Sequence, residues 1–424
     1  MPSAIVDFIA KVNPDPAKRA ALDTALEKLR SSAPFERVPS MHFASLVVFE
    51  GDENYPPVLV FENNYDGDLA LHVQALLAAA APALREVYSC CTDLPARTPA
   101  GERPFADYLL AHAVQPAAWH IGNVGRSRER VRQELGLRTT LGARMDARLD
   151  AGAHPDTPVD AHALAAEEVK QAGTFGWIGD PHVRMTSAEI RGPTVKVWIT
   201  GGVLVLGLLA AFWINWWLTL LLIVAVVATL LWKESRDQPL DPAKADVGHV
   251  RRLVEHEDFR VQNHLASITI VKPGIFRRLL LRVVLWGANL LARTSIHGEL
   301  SGIPSIHYAH WALLDGGRRL LFLSNFDGSW ESYLDDFIDK ASKGLTGIWT
   351  NTVGFPRTRL LVLNGATDGI AFKAFARSQQ TPSAVWYSAY PDLTVQQIDS
   401  QSTLREGLAT RPTGAALADW LRRI

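Results

Sequence analysis

From Val197 to Trp232 the chain is almost wholly apolar, whereas on either side hydrophobic residues return at strand or helix spacing. Roughly 20 residues cross a hydrocarbon core, so this run is too long for one ordinary span. It is interrupted at Phe212-Trp213-Ile214-Asn215-Trp216-Trp217, which predicts two helices, 197–214 and 216–232, folded back as a hairpin. Each would be about 26 Å long at 1.5 Å per residue, enough for a thin bilayer or a tilted, shallow insertion. Trp198 and Trp232 would mark one interface and Trp213, Trp216 and Trp217 the other, since indoles prefer the headgroup level. The alternatives are one long tilted helix or an apolar hairpin buried in a soluble core. Arg191 and Lys196 before the run, and Lys233 and Arg236 after it, favour both ends on the cytoplasmic side.

Outside the run, one pattern occurs twice. His42-Phe43-Ala44 is followed by an apolar strand and then Asn64-Tyr65-Asp66-Gly67; His307-Tyr308-Ala309 is followed by another and then Asn325-Phe326-Asp327-Gly328. An amphipathic helix follows each, from Asp68 to about Leu84 and from Ser329 to about Lys343, and then an apparent return to strand at Glu86 to Cys91 and Leu345 to Asn351. Identical residues in the same structural order point to duplication of one unit. Extended backwards, the second copy acquires a strand at Asn263 to Val271, a turn at Lys272-Pro273-Gly274 and a helix at Ile275 to Ala292. In the first copy Ala4 to Val12 is the strand, or equally the start of a helix, and Pro16 to Arg30 the helix.

The resulting order, strand-helix-strand-strand-helix-strand, is the ferredoxin-like βαββαβ plan. The expected fold class is therefore α+β: two ferredoxin-like units packed as an internal pseudo-dimer, with an inserted transmembrane helical hairpin. Packing the open sheet faces on each other buries surfaces that neither unit could leave in water, and it requires both lobes on one side of the membrane. The division is 1–95 for the first unit, 96–190 for a helical or loop connector, 191–236 for the hairpin, 237–260 for a linker, 261–360 for the second unit and 361–424 for a C-terminal α/β extension.

On this element order and duplication, over Met41 to Cys91 and Gln262 to Asn351, the chain resembles the dimeric α+β barrel superfamily, which includes dye-decolorising peroxidases, chlorite-dismutase-like haem proteins and small monooxygenases. The resemblance implies a peroxidase- or monooxygenase-like oxidoreductase, with haem as a candidate cofactor. Dye-decolorising peroxidases carry Gly-x-x-Asp-Gly; here Asp66-Gly67 and Asp327-Gly328 supply the Asp-Gly without the leading glycine.

The pocket candidates for catalysis are His307, Asp327, Asn325 and Arg357, and for cofactor binding His42, Asp66 and Arg359. Each has a plainer reading. The Asp-Gly pairs suit turn chemistry, with Asp68 or Ser329 capping the next helix. The histidines suit hydrogen-bonded structural roles, although imidazole also ligates haem iron. His307 and His310 lie on opposite faces of one strand and do not share a metal ion; His256, among acidic neighbours, reads as a solvated face, and no metal site is expected. Arg357 and Arg359 suit a carboxylate, a phosphate or a haem propionate, or else surface carboxylates. The arginines of 126–148 suit either anionic headgroups or a solvated helix, and the Arg/Leu-rich helix 275–292 either the bilayer surface or its own sheet.

Composition narrows the classes further. A net charge of −1 over 424 residues gives no long-range attraction to nucleic acid. Two adjacent cysteines, Cys90 and Cys91, offer neither a disulfide framework nor metal-ligand spacing and fit a reducing compartment. The N-terminus has no basic-then-apolar signal, so the hairpin would do the targeting. No phosphate loop, His-Glu-x-x-His, Gly-x-Ser-x-Gly or paired Cys-x-x-Cys is present. The expectation is an integral membrane protein with cytoplasm-facing domains, a lipid membrane partner and a pocket for a small lipophilic or amphipathic ligand. It is read as an oxidoreductase or, alternatively, a non-catalytic scaffold or lipid-binding protein.

Overall fold

In the computed structural model, residues 3–95, 102–180, 187–244, 246–255, 257, 260–292, 300 and 302–424 are described. The chain runs β1 (Ser3–Lys11), α1 (Pro16–Ser32), β2 (Met41–Phe49), β3 (Val58–Asp66), α2 (Leu69–Tyr88), α3 (Arg103–Ala111), β4 (Ala113–Val114), β5 (Ala118–Ile121), α4 (Arg128–Asp150) and α5 (Pro158–Ala172). Two apolar helices follow, α6 (Ser187–Ile214) and α7 (Trp216–Ser235), and then α8 (Val247–Val254). The second half runs β6 (Gln262–Ile270), α9 (Ile275–Ala292), β7 (Ile306–Leu314), β8 (Arg319–Asp327), α10 (Trp330–Trp349), β9 (Thr358–Arg359) and β10 (Leu363–Asn364). It ends with α11 (Gly369–Gln379), β11 (Val385–Ser388), α12 (Val395–Thr410) and α13 (Gly414–Leu421).

The protein is thus mixed α+β, with antiparallel sheets. One large sheet has the order β11-β2-β3-β1-β4 and the second β5-β7-β8-β6, and β10 and β9 form a separate two-stranded sheet. The edge strands are exchanged: β5, which follows the first lobe's helices, pairs with β7, while β11 near the C-terminus pairs with β2. Both central pairs carry a register shift at the same place, between Met41 and Phe43 against β3 and between Ile306 and Tyr308 against β8. His42 and His307 therefore each sit on a β-bulge, a device that re-aims a side chain.

One face of each large sheet is covered by helices. Leu22, Leu26, Leu76 and Leu84 pack with Phe8 and Phe61 on the first sheet; Leu281, Leu285, Phe337 and Ile348 pack with Leu265 and Phe322 on the second. The opposite faces share one cluster, in which Val47, Phe49, Val58 and Val60 meet Ala266, Ala312, Leu321 and Leu323. Covered on both faces, β2 is buried at every residue, His42 and Ser45 included.

Two segments differ from expectation. Glu86 to Cys91 and Leu345 to Asn351 are not strands; α2 continues to Tyr88 and α10 to Trp349. The buried residues Leu84, Val87 and Tyr88, and Leu345, Ile348 and Trp349, keep helical spacing, which outweighs their strand-like composition. The strand beside β1 is β4, well downstream, and at the corresponding edge of the second sheet the described residues make isolated bridges, Ser267 with Gln380 and Val271 with Thr352. The connector also contains α3, β4, β5, α4 and α5; α4 packs on α5 and α12, and its Arg144 and Arg148 both pair with the buried Glu168. His256 lies outside the described residues.

The helices α6 and α7 lie against each other and break at the single residue Asn215, whose side chain accepts from the Leu218 N–H and caps α7. Thr194–Ile214 and Trp216–Ser235 are long and apolar enough to cross a membrane, and their side chains point outward, with Trp213 89% and Ile214 85% exposed at the tip. At the foot, Glu234 accepts from the N–H groups of Leu360 and Leu361, and Asp237 pairs with Lys272 and Arg277. α9 has a double character: Arg277, Leu281 and Leu285 are buried, whereas Ile275, Leu279, Val283 and Trp286 are exposed.

The shared cluster makes a quantitative demand. Leu323→Ala, at a fully buried inter-sheet position, is expected to cost about 2–5 kcal/mol of unfolding free energy. Leu279→Ala, exposed on α9, is expected to stay within about 0.5 kcal/mol. Denaturant titration of detergent-solubilised protein measures both, and equal losses would contradict face-to-face packing.

Candidate functional site

The repeated histidines and aspartates meet as two equivalent pairs. His42 Nε2 lies 2.9 Å from Asp66 Oδ1, and its Nδ1 lies 2.8 Å from the Tyr390 hydroxyl. His307 Nε2 lies 2.7 Å from Asp327 Oδ1 and 3.2 Å from Gln262 Nε2. Each aspartate has a second duty. Asp66 Oδ2 accepts from the backbone N–H of Arg128 at 2.7 Å, and Asp327 Oδ2 from that of Val395 at 2.8 Å. Those are the first residues of α4 and α12, so each carboxylate sits at the N-terminus of the helix that follows an exchanged strand, where the helix dipole favours negative charge. Burial opposes ionisation of Asp66, but the hydrogen bond and charge of His42 and the Arg128 N–H outweigh it and lower its pKa. The turns behave as expected: Gly67 and Gly328 have φ of 90° and 80°, and Asp68 and Ser329 cap α2 and α10.

A different cluster lies between the sheets. Glu62 Oε2 lies 3.0 Å from His264 Nε2 and accepts from Ser45 Oγ at 3.0 Å. Glu62 Oε1 accepts from Asn325 Nδ2 at 3.1 Å and Asn64 Nδ2 at 3.2 Å. His310 Nε2 lies 2.9 Å from Asp7 Oδ2, and its Nδ1 3.8 Å from Glu62 Oε1. Asp7, Glu62 and His310 are completely buried. Burial works against the Glu62 carboxylate, yet the hydrogen bond and charge of His264, helped by His310 and Ser45, hold its pKa down at about 2. Burial also works against the His310 imidazolium, but the Asp7 carboxylate overcomes this and raises its pKa. Asp7 itself is raised, because burial exceeds the help that His310 gives.

The cluster reaches a cleft through His264. That cleft has a volume of about 350 Å³ and is lined by Arg260, Gln262, His264, Ser383, Ala384 and Trp386 among others. His264 Nδ1, the nitrogen turned away from Glu62, lies 2.6 Å from Ser383 Oγ. Trp386 donates from Nε1 to Asn325 Oδ1 at 2.8 Å, and Arg260 lies over its ring at 5.9 Å.

Of the sequence-predicted residues, Asn325 joins this cluster, while His42, Asp66, His307 and Asp327 form the two helix-docking pairs beside it. Arg357 and Arg359 are exposed and go elsewhere; Thr358, Leu360 and Leu361 bond Glu234, which places this segment at the foot of the apolar hairpin. Asp7, Glu62, His264, His310 and Ser383 were not singled out as site residues. The signal available for Asp7, Glu62 and His310 was a charged or ionisable residue at the inward parity of an otherwise apolar strand.

The haem expectation meets the geometry poorly. His307 has Nε2 committed to Asp327, and its ring is packed between Phe43 at 5.1 Å and Tyr390 at 6.1 Å, which leaves no space for a macrocycle. His42 Nε2 faces Asp66. Among the described residues no group of three or more His, Cys, Asp or Glu side chains is placed to hold a metal ion. In comparisons with known proteins, no family model matches the chain and no curated protein matches it.

The Glu62 environment predicts an acid limb in stability. Its folded pKa is below the ordinary 4.5, so ionised Glu62 stabilises the fold, fully above that pH and progressively less as the pH falls towards about 2. Glu62→Gln is expected to be less stable at neutral pH and to lose less stability between those two values. Parallel acid limbs for the variant and the wild type, in pH-dependent denaturant titrations, would contradict the assigned environment.

Proposed function

We propose that this chain is a membrane-anchored protein of two ferredoxin-like units, and that the cleft at His264 binds an amphipathic ligand with an anionic group. Matching strand orders, bulges at His42 and His307, and the paired Asp66 and Asp327 support duplication. The observation that carries the ligand reading is the ionisable cluster of Asp7, Glu62 and His310 at zero exposure, which reaches the cleft through His264. Burying charge away from water is costly, and such placements concentrate at functional sites.

The cleft's lining suits such a ligand. Leu253, Pro382, Ala384 and Trp386 offer apolar surface. Glu257 is held by Arg377 and Gln380, and Glu255 by Arg251, so the charge that Arg260 brings above Trp386 favours an anion. An oxidoreductase reading stays open only in a form that does not use His307 or His42 as haem ligands. A non-catalytic scaffold is favoured by the two His-Asp pairs, whose visible work is to dock helices.

The anchor is α6 and α7 inserted as a hairpin, with both lobes on the cytoplasmic side because they share one core and similar basic flanks. α9 then lies at the headgroup level beside the foot of α6, its exposed Ile275, Leu279, Val283 and Trp286 towards lipid.

Two measurements test these readings. In sealed vesicles, protease added to one face is expected to cleave both lobes, around residues 150–157 and 315–318; protection of one lobe with cleavage of the other would refute the hairpin. Protein extracted gently from its native membrane is expected to carry an acidic amphiphile, detected by mass spectrometry of the organic extract, that Arg260→Ala reduces at least about tenfold, the equivalent of about 1.4 kcal/mol. Identical extracts from both proteins would favour the scaffold.

A further inference from the structure

We propose that Ser383, His264 and Glu62 form a serine nucleophile, general base and orienting carboxylate, and that the cleft hydrolyses carboxylic esters whose acid portion is amphipathic. The inference rests on reading the cleft as a ligand site and adds a reaction to it. Ser383 Oγ is 2.6 Å from His264 Nδ1, and His264 Nε2 is 3.0 Å from Glu62 Oε2, so one imidazole bridges a hydroxyl and a carboxylate within hydrogen-bond reach on both sides. Glu62 stays ionised at neutral pH and accepts the hydrogen bond of the Nε2–H, which holds the proton on that nitrogen and leaves the Nδ1 lone pair facing the hydroxyl. Ser383 and His264 both line the cleft, whereas Glu62 is wholly buried.

The serine is also held in place. The N–H of Thr381 donates to the Ala266 carbonyl at 2.8 Å, and that of Ala384 to the Leu46 carbonyl at 2.9 Å, so the residues around Ser383 are tied to one sheet and then to the other. The hydroxyl is thereby presented at the seam where the base and its carboxylate meet.

In the first half-reaction Ser383 Oγ bonds to the ester carbonyl carbon while its proton passes to His264 Nδ1. The bond to the leaving alcohol then breaks, and that oxygen takes the proton from His264. In the second, water attacks the acyl-serine and gives a proton to His264, which returns it to Ser383 as the acid departs. The sum is ester plus water to acid plus alcohol, with no change of oxidation state. The cleft is lined by two arginines, Arg30, which pairs with Glu27, and Arg260, which is the cation offered to the acid portion of the substrate.

The test uses the full chain in detergent. A fluorophosphonate probe loses fluoride as its phosphorus bonds to an activated serine, and peptide mapping of labelled wild type is expected to place a single adduct on Ser383. That readout needs no variant. Ser383→Ala is expected to abolish labelling and to lower p-nitrophenyl butyrate hydrolysis at least about 10²-fold. Glu62→Gln is expected to lower kcat by a similar factor with KM unchanged, which a purely structural role would not produce. An adduct on another residue, no adduct, or hydrolysis undiminished in Ser383→Ala overturns the proposal. Loss of the bound amphiphile in Arg260→Ala with no labelling of Ser383 would overturn the reaction while leaving the binding site standing.

Discussion

The packing of one bare sheet face on the other is the constraint on which the rest depends. A sheet covered by helices on one side leaves a second apolar face that water will not tolerate, and here Val58 and Val60 of one sheet and Leu321 and Leu323 of the other remove that surface together. The shared core fixes the relation of both lobes to the apolar helices between them. A single span would separate the lobes across a bilayer and break the core. A hairpin returns the chain to its starting side, and the break at Asn215, one residue long and self-capped, is the local means. The foot is secured by Glu234 and Asp237, whose carboxylates bind elements of the second lobe.

Within this frame the two halves agree where they hold the architecture together and differ where chemistry is available. Both keep a bulged histidine, an aspartate, and a helix N-terminus docked on that aspartate. The inward positions differ. Asp7 pairs in register with Glu62 in the first sheet, whereas the corresponding pair in the second is Ala266 with Leu323. Opposite them, Ser45 on β2 and His310 on β7 occupy matching sites. The carboxylates therefore come from one half and the imidazoles from the other. Only association of the two sheets neutralises either set, and the ionisable cluster is a property of the pair.

The sequence made the scaffold legible and the centre much less so. The hairpin could be read because a long apolar run has few other physical explanations, and Asn215 lay within the interruption. The strand-helix order of the second half up to α10 could be read because the motif around Asp66-Gly67 and Asp327-Gly328 recurs with the same turn chemistry, whereas in the first half Ala4 to Val12, where β1 lies, read equally as a strand or the start of a helix. The segments after α2 and α10 could not, since Val87 and Tyr88, or Ile348 and Trp349, satisfy strand composition and helical spacing alike. The exchange of β5 and β11 was invisible, because short edge strands carry almost no pattern and their partners lie hundreds of residues away. For the same reason Asn325 could be placed near a pocket from its motif, while Ser383, with no local signature, could not.

The repeated motif nonetheless bears on the centre indirectly. Asp327 holds the N-terminus of α12, α12 follows β11, and β11 follows Ser383. Trp386 on β11 then bonds Asn325, the motif's own asparagine, which also bonds Glu62. A residue that caps a helix and one that lies in a polar cluster thus belong to a single chain of contacts that sets where the edge strand lies. Precise placement matters because a base acts only within hydrogen-bond reach of the proton it takes. His307 and Asp327 do not line the cleft; Asp327 anchors the helix that follows β11, the strand entered directly after Ser383 and Ala384.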